Sequence, residues 1–492
     1  MKKRFALILF GLLIVAMSAP VYAQFEWKVS GLIDSNAVWY NNFYSTNRIY
    51  GNYADTQGNT APNTGSLDKD GNYFNTRGRF KFDAAMGKEV TGTMFFEMDS
   101  ARWGETAGGR NQLGKWQGDQ VAVEVKNLFI DFAIPYIGIP VPMTARVGLQ
   151  PLVSRAEMAV NTDGTGVTLG FKLDPVTVSP YWAKASHYKD YASDDVDVYG
   201  TNIIARVGRM TLGGYGVFYN MRTYPLTSVS SSPTVDPSFK GKMYWFGGYA
   251  DGKLGPLNMM ADFVYDWGKV ESFGAAAAKD VDYRGWAARL NLALPIEMFE
   301  FGTRLMYATG SDQKDTDGTG LPGRTTPWGT TTKEVKSYVV PPGSEENSSY
   351  GANGSGIFYS NPITGRTPDF TGSNASSMSR GAIGGTWQAQ LYASMKVAPW
   401  YKITVLGQYI GDTTDNGNTV GTARKANGNP RDDSDIGWEM GLFNEIQIYK
   451  TLSWGTVLSY MVAGDALDWQ GTGGNVEMSN PWFIGSIIKY TW

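Results

Sequence analysis

Charged residues alternate with apolar residues in several strand-length stretches of this chain. Over residues 75–87, one set of alternate positions is charged: Arg77, Arg79, Lys81 and Asp83. The positions between them include Phe80, Phe82, Ala84 and Met86. A period of two places the two sets on opposite faces of a β-strand, so one face is wet and the other is apolar. A wet face of this kind can select ions by charge, which is the chemistry that the pattern indicates.

The same alternation identifies further candidates for lining a charged passage or its constriction. The basic candidates are Arg77, Arg79, Lys81, Arg146, Lys172, Arg206, Arg289, Arg304, Lys396, Lys402 and Lys489. The acidic candidates are Asp83, Glu97, Asp99, Asp262, Asp266, Glu439 and Glu445. The excess of basic residues predicts a weak anion preference, which a loop folded among them could reverse.

Two other groups of residues have types that could do chemistry. His187 is the only histidine and no GxSxG motif accompanies it, so an exposed loop histidine is favoured over a catalytic base. Asp312, Asp315 and Asp317 resemble a calcium loop, because clustered carboxylates suit hard cations. The EF-hand spacing is absent, so an acidic loop without metal is the favoured alternative. We therefore predict neither an enzyme nor a cofactor.

The charged faces must be positioned by about eighteen segments of strand length, from residues 25–40 to residues 480–492. These segments are joined alternately by short turns, such as Gly208-Arg209, and by long loops rich in Gly, Asn, Ser and Thr. An Arg or Lys facing lipid at mid-membrane costs about 2–4 kcal/mol, so the charged faces are expected to line a lumen. The sequence predicts an all-β fold: a transmembrane antiparallel β-barrel of about 16–18 strands, with short periplasmic turns and long extracellular loops.

Composition and the N-terminus agree with an exported barrel. Apolar residues make up 42% of the 492 residues, and no internal run is long enough for a membrane helix. Residues 1–23 have the basic start, apolar core and small residues of a cleaved signal peptide, which leaves residues 24–492 as one barrel domain. The largest loop covers residues 311–383, and whether it plugs or caps the barrel stays open. The absence of cysteine excludes thiolate metal sites, and a net charge of −3 gives no indication of nucleic-acid binding.

One segment breaks the alternation. Its apolar residues change phase near Asn127, from Val123 and Val125 to Leu128 and Ile130. A β-bulge would keep all of them on one face, because it inserts one extra residue into the strand. A subunit contact that covers both faces is the alternative.

Several of these segments resemble a known family of membrane proteins. They are FFEMDSARWGE (residues 95–105), GDQVAVEVKNLFIDF (118–132), RVGLQPL (146–152), GVTLGFKL (166–173) and YWAKA (181–185). These stretches look like the homotrimeric outer-membrane porins common in sulfate-reducing bacteria, a general bacterial porin type, most clearly over residues 75–199. The resemblance implies a homotrimer in the outer membrane of a Gram-negative cell, each barrel having its own pore.

We therefore expect a water-filled channel for passive diffusion of ions and small hydrophilic solutes, with outer-membrane lipid around it. Within it, Arg77, Arg79, Lys81 and Arg146 are expected to form the basic wall of a constriction. Solvated lumen charges without control of selectivity are the alternative for these residues. A channel that prefers particular solutes, or a structural or surface-interaction barrel with a plugged lumen, are the alternative functions.

Overall fold

The computed structural model describes most of the chain after the predicted signal peptide. The described residues are 25–42, 71–104, 112–113, 123–135, 138, 140–154, 158–186, 195–224, 239–272, 278–318, 320–342, 344, 357–359, 383–471 and 473–492. The predicted signal peptide, His187 and parts of the predicted loop at residues 311–383 lie outside these ranges.

Eighteen antiparallel strands close into one barrel. They are β1 (Phe25–Asn41), β2 (Gly71–Met86), β3 (Val90–Trp103), β4 (Glu124–Ile134), β5 (Met143–Val153), β6 (Asn161–Leu173), β7 (Val176–Ser186), β8 (Val196–Val207), β9 (Met210–Met221), β10 (Phe239–Leu254), β11 (Leu257–Ser272), β12 (Val281–Ile296), β13 (Phe299–Ala308), β14 (Thr386–Ala398), β15 (Tyr401–Asp412), β16 (Asp435–Tyr449), β17 (Leu452–Ala463) and β18 (Trp482–Thr491). Each strand pairs with the next, and β1 pairs with β18, which closes the ring. The predicted fold class is confirmed, and each of the eighteen predicted segments forms one of these strands.

Shorter elements lie in the connections. Gln112–Leu113 and Glu334–Val335 add two-residue strands to the edge of the barrel, and Trp469–Gly471 pairs with Gly474–Val476 as a small hairpin. Asp465–Leu467 forms a single 3-10 turn. Within the described ranges, we find no helix that is long and apolar enough to cross a membrane.

Short turns occupy one end of the barrel and long connections occupy the other. Turns of two residues join β8 to β9 and β10 to β11, and they begin at Gly208 (φ +60°) and Gly255 (φ +63°). These left-handed conformations favour glycine, because a Cβ would be strained there. The connections at the opposite end are mostly much longer, and the longest runs from β13 to β14. An even number of strands therefore brings both ends of the barrel to the short-turn end, which is periplasmic in outer-membrane barrels.

The outer face of the barrel is apolar and is edged by aromatic side chains. Leu391, near the middle of β14, is 70% exposed. Near the extracellular end, rings on successive strands stack, with centroids 4.6 Å apart for Phe218–Tyr244 and 5.1 Å apart for Tyr244–Trp267. A second group near the periplasmic end includes Trp27, Phe299, Trp400, Trp454, Tyr490 and Trp492. Two aromatic girdles around an apolar band are typical of a bilayer-spanning barrel, and the architecture is that of an outer-membrane β-barrel of the Gram-negative type.

Several tyrosines on the inner face lie flat over glycines of the neighbouring strand. A Cβ added to Gly247 would lie 2.1 Å from the ring of Tyr215, and one added to Gly213 would lie 2.2 Å from Tyr249. Both pairs are direct cross-strand partners. The glycines are therefore required because the tyrosine rings occupy the space that a side chain would need.

The phase change near Asn127 is caused by a bulge, as the sequence favoured. Phe95 pairs with Asn127 and Phe96 pairs with Val125, so Lys126 has no opposite residue on β3. Val125 and Leu128 are both exposed on the outer face as a result. The inserted residue also directs the Lys126 ammonium toward Glu97, on the inner face.

Candidate pore

A cluster of charged residues forms on the inner face of β2, β3 and β4. The Glu97 carboxylate is the centre: Arg79 Nη2 lies 2.6 Å and Arg77 Nε 3.3 Å from Oε1, and Lys126 Nζ lies 3.3 Å from Oε2. Lys126 Nζ also lies 2.8 Å from Asp163 Oδ2. The Glu97 side chain is 9% exposed, whereas the three cationic side chains are 18–26% exposed. The cations therefore screen the carboxylate and face the lumen themselves.

Cross-strand register explains why these residues meet. Arg79 is the direct partner of Glu97 across β2 and β3. Arg77 lies opposite a bulge in β3 that contains Asp99, a predicted pore residue whose side chain lies outside the described part of the structure. Asp34 of β1, which the sequence analysis missed, is buried, and its cross-strand register partners are Arg77 on β2 and Lys489 on β18. The alternation of β1 could have identified Asp34 as an inner-face residue, since it shares a face with Asn36 and Val38.

The cations of the predicted basic wall are paired with carboxylates, and whether they form a constriction stays a prediction. Lys81 Nζ lies 3.0 Å from Asp83 Oδ2. Arg146 forms two hydrogen bonds with Asp131, of 2.7 and 2.9 Å, and its guanidinium lies 4.3 Å from the ring centroid of Phe129. Each cation was predicted from its own strand, but carboxylates on the same or adjacent strands neutralise them. The weak anion preference therefore does not follow from this cluster.

A second charged group lies on the opposite side of the ring. Asp262 on β11 accepts hydrogen bonds from Arg289 Nε and Nη2 on β12, at 3.2 and 2.9 Å, and both side chains are almost fully buried. Arg304 on β13 donates to Gln390 Oε1 at 2.9 Å and lies 4.7 Å from the ring centroid of Tyr392. Since β3 and β12 are nine strands apart in a ring of eighteen, this group and the Glu97 cluster lie on opposite sides of the barrel.

Five predicted lysines and arginines lie near the periplasmic end of the barrel instead of near its middle. They are Lys172, Arg206, Lys396, Lys402 and Lys489, each within two residues of a strand end. Lys402 Nζ lies 3.0 Å from Glu445 Oε1, and Lys396 is the cross-strand partner of Lys402. These residues are therefore candidates for lining the mouth of the barrel, and their control of ion selectivity stays a prediction.

The connection from β13 to β14 folds into the barrel. Its crossing segment (residues 336–342 and 344) contacts β10 and β11: Trp245 Nε1 donates to Val339 O at 2.8 Å, and Val339 N donates to Asp266 Oδ2 at 3.0 Å. Its apolar tip (Ile357–Tyr359) contacts β16 through Glu439. Asp266 and Glu439 are both 0% exposed. They were predicted to line the pore, but they are covered by this connection and hold it in place.

The three aspartates that resembled a calcium loop do not converge. Asp312 Oδ1 accepts from Lys314 N at 2.8 Å, Asp315 lies 2.9 Å from Lys333 Nζ, and Asp317 Oδ1 accepts from Thr332 Oγ1 at 3.2 Å. Among the residues that the structure describes, no group of three or more acidic or histidine side chains is arranged to hold a metal ion. The calcium hypothesis is therefore not carried further. Asp163, which contacts Lys126, lies in β6.

Comparisons with known proteins give structural matches only. No family model and no curated protein sequence matches the chain. It is similar to the outer membrane protein opdK of Pseudomonas aeruginosa, with 9% identity, coverage of 94% of this chain and 99% of that one, and a TM-score of 0.46. It is also similar to OccK8 (OprE) of the same organism, with 11% identity, coverage of 95% and 98%, and a TM-score of 0.47. OccK2 (OpdF) of that organism, solved in complex with glucuronate, has 10% identity, coverage of 95% and 98%, and a TM-score of 0.48. Structural similarity at this level does not indicate which solute passes. The argument about the solute rests on the residues of this chain.

Proposed function

We propose that this protein is an outer-membrane channel for the passive diffusion of ions and small hydrophilic solutes. One observation supports the proposal above others: charged side chains at mid-height of the inner face remain partly exposed to solvent, while the outer face is apolar. A ring of about eighteen strands is wide enough to leave an aqueous passage unless its loops fill it. The lumen is therefore proposed to conduct.

A channel that prefers particular solutes is favoured over a wide general pore. The supporting observation is the inward connection from β13 to β14, whose crossing segment contacts β10, β11 and the residues between β5 and β6. A chain that bridges the lumen reduces its free cross-section. The passage is then narrower than the ring of strands alone would give.

We propose that a weak anion preference arises at the periplasmic mouth. Lys172, Arg206 and Lys396 lie there, and the cations nearer mid-height pair with carboxylates. Replacing these three residues by Glu should shift the reversal potential in a salt gradient toward cations.

We also propose that the protein is a homotrimer. Light scattering of the detergent-solubilised protein would test this by measuring whether its mass is that of three chains.

Conductance across a planar bilayer is the direct test of the channel. We expect the purified protein to give discrete, ohmic current steps. The proposal fails if no current is seen with the intact protein and none with a variant that lacks the connection between β13 and β14. In that case a structural or surface-interaction barrel would be the better account.

A further inference from the structure

The crossing segment is held by side chains of the barrel wall. Asp266 Oδ2 accepts the Val339 N–H at 3.0 Å, and Trp245 Nε1 donates to the carbonyl oxygen of the same residue at 2.8 Å. Tyr338 OH donates to Met158 O, in the connection between β5 and β6. Ser344 Oγ donates to Ala159 O at 3.0 Å in that same connection. The segment is thus fixed to β10 and β11 at Val339, and to the β5–β6 connection at Tyr338 and Ser344.

The apolar tip has an anchor of its own. Glu439 accepts hydrogen bonds from Ile357 N at 2.8 Å and Phe358 N at 3.3 Å, and from Gln408 Nε2 at 2.8 Å. The Tyr359 hydroxyl lies 2.6 Å from Thr386 Oγ1. All three tip residues are at most 1% exposed. A buried carboxylate is costly unless hydrogen-bond donors meet it, so Glu439 and the tip stabilise each other.

A glycine in the barrel wall allows the crossing segment to pack closely against β12. Gly285 of β12 lies beneath the segment, and a Cβ there would come within 2.5 Å of Tyr338 N and 2.6 Å of Ser337 C. Both contacts would be with backbone atoms, which cannot swing aside as the end of a side chain can. Any residue other than glycine therefore displaces the crossing segment from β12.

The barrel ladder does not depend on these contacts. The pairing of β10 with β11 and of β11 with β12 runs through the backbone over the whole length of both interfaces. Side chains that serve only to close the ring would contact neighbouring strands. Trp245 donates to a residue outside the strands of the barrel, and Asp266 and Glu439 accept from such residues as well as from Gly285 of β12 and Gln408 of β15.

We propose that Asp266, Trp245 and Glu439 determine the size limit of the channel. They hold the crossing segment and the apolar tip inside the lumen, and these two pieces, not the ring of strands, set the largest solute that passes. The inference rests on the proposed channel function and names the residues that give it selectivity by size.

The test measures the entry of neutral sugars, from monosaccharides to pentasaccharides, into liposomes that contain the full-length protein. Neutral solutes separate size from charge. The variants are the double substitution Asp266→Ala with Glu439→Ala, and independently Gly285→Leu, which displaces the crossing segment while leaving both carboxylates in place. The controls are Glu445→Gln, a carboxylate at the periplasmic mouth, and Gly407→Ala, where an added Cβ meets nothing within 4 Å.

We expect both test variants to admit larger sugars than the parent protein and to conduct severalfold more current per channel, while both controls keep the parent limit. If the double variant does not fold, Gly285→Leu still decides the question. A parent protein that conducts and test variants that keep its size limit would overturn this inference alone. Absence of both current and sugar entry, for the parent and for every variant, would refute the channel itself.

Discussion

Replacing Glu97 by Gln changes the charge at mid-height of the lumen with little change of shape. Glu97 is shared by Arg77, Arg79 and Lys126, with the nearest atoms 2.6 to 3.3 Å apart. A glutamine keeps one acceptor oxygen for these donors but carries no charge. The three cations would then act on a passing ion without their central counter-charge, so the channel should become more anion-selective.

The size of the effect follows from Coulomb's law. For an ion about 10 Å from residue 97 in a water-like dielectric of about 80, one unit of charge is worth about 0.4 kcal/mol. That energy changes the local concentration of anions about twofold upward and of cations about twofold downward. The ratio of anion to cation permeability should therefore rise about fourfold at low ionic strength, and less at about 0.1 M salt, where the screening length is about 10 Å.

The assay is the reversal potential of the purified channel in a KCl gradient, with the dilute side near 10 mM. Arg79→Gln is the matched control, because it removes a cation from the same cluster and should shift the potential in the opposite direction. Equal reversal potentials for Glu97→Gln and the parent would show that the cluster does not face the ion path. A shift toward cations would contradict the electrostatic reasoning altogether.

Three further substitutions test the wall itself. Asp262→Ala leaves the buried Arg289 without its carboxylate partner, which should cost about 3 kcal/mol of stability. The unfolding temperature should therefore fall, measured by gel electrophoresis, in which the folded barrel migrates faster than the unfolded chain. Gly247→Val drives a side chain into the ring of Tyr215 and should cost about 1–3 kcal/mol, measured by urea unfolding in lipid vesicles. Leu391→Arg places a charge on the exposed middle of the outer face and should cost about 2–4 kcal/mol in the same assay.

Each of these has an outcome that contradicts it. An unchanged melting temperature for Asp262→Ala would mean that the pair adds nothing to the wall. Equal stabilities for Gly247→Val and Gly407→Val would remove the steric argument, since position 407 has open space for a side chain. If Leu391→Arg were as stable as Leu391→Ala, then β14 would not face lipid.

The sequence predicted the strands well because the signal for them is local. A period of two can be read within ten residues, and the outer face repeats it in strand after strand, as at Leu391 of β14. The bulge near Asn127 was also visible as a phase change. What it does to Lys126 was not, because a bulge leaves open which residue is inserted and where its side chain ends.

The partners of the lumen charges were beyond a strand-by-strand analysis. Arg146 looked like part of a basic wall because its partner, Asp131, belongs to another strand, and the register across β4 and β5 decides that they meet. The inward position of the connection between β13 and β14 was even harder to predict from the sequence. Val339 and Asp266 are 73 residues apart, and the contact between them has no periodic signal that a sequence could show.

These two misses have a common consequence for selectivity. Where cations and carboxylates pair along the wall, as Lys81 does with Asp83 and Arg146 with Asp131, a solute meets a polar surface with little net field. Charge then discriminates weakly. Among the described ion pairs of the wall, the Glu97 cluster departs most from balance, because Arg77, Arg79 and Lys126 share Glu97 and Lys126 alone also meets Asp163. Size discriminates strongly if the crossing segment stays in place. The substitutions at Glu97 and Gly285 should therefore separate the two mechanisms, since the first alters ion preference at constant sugar entry and the second alters sugar entry at nearly constant ion preference.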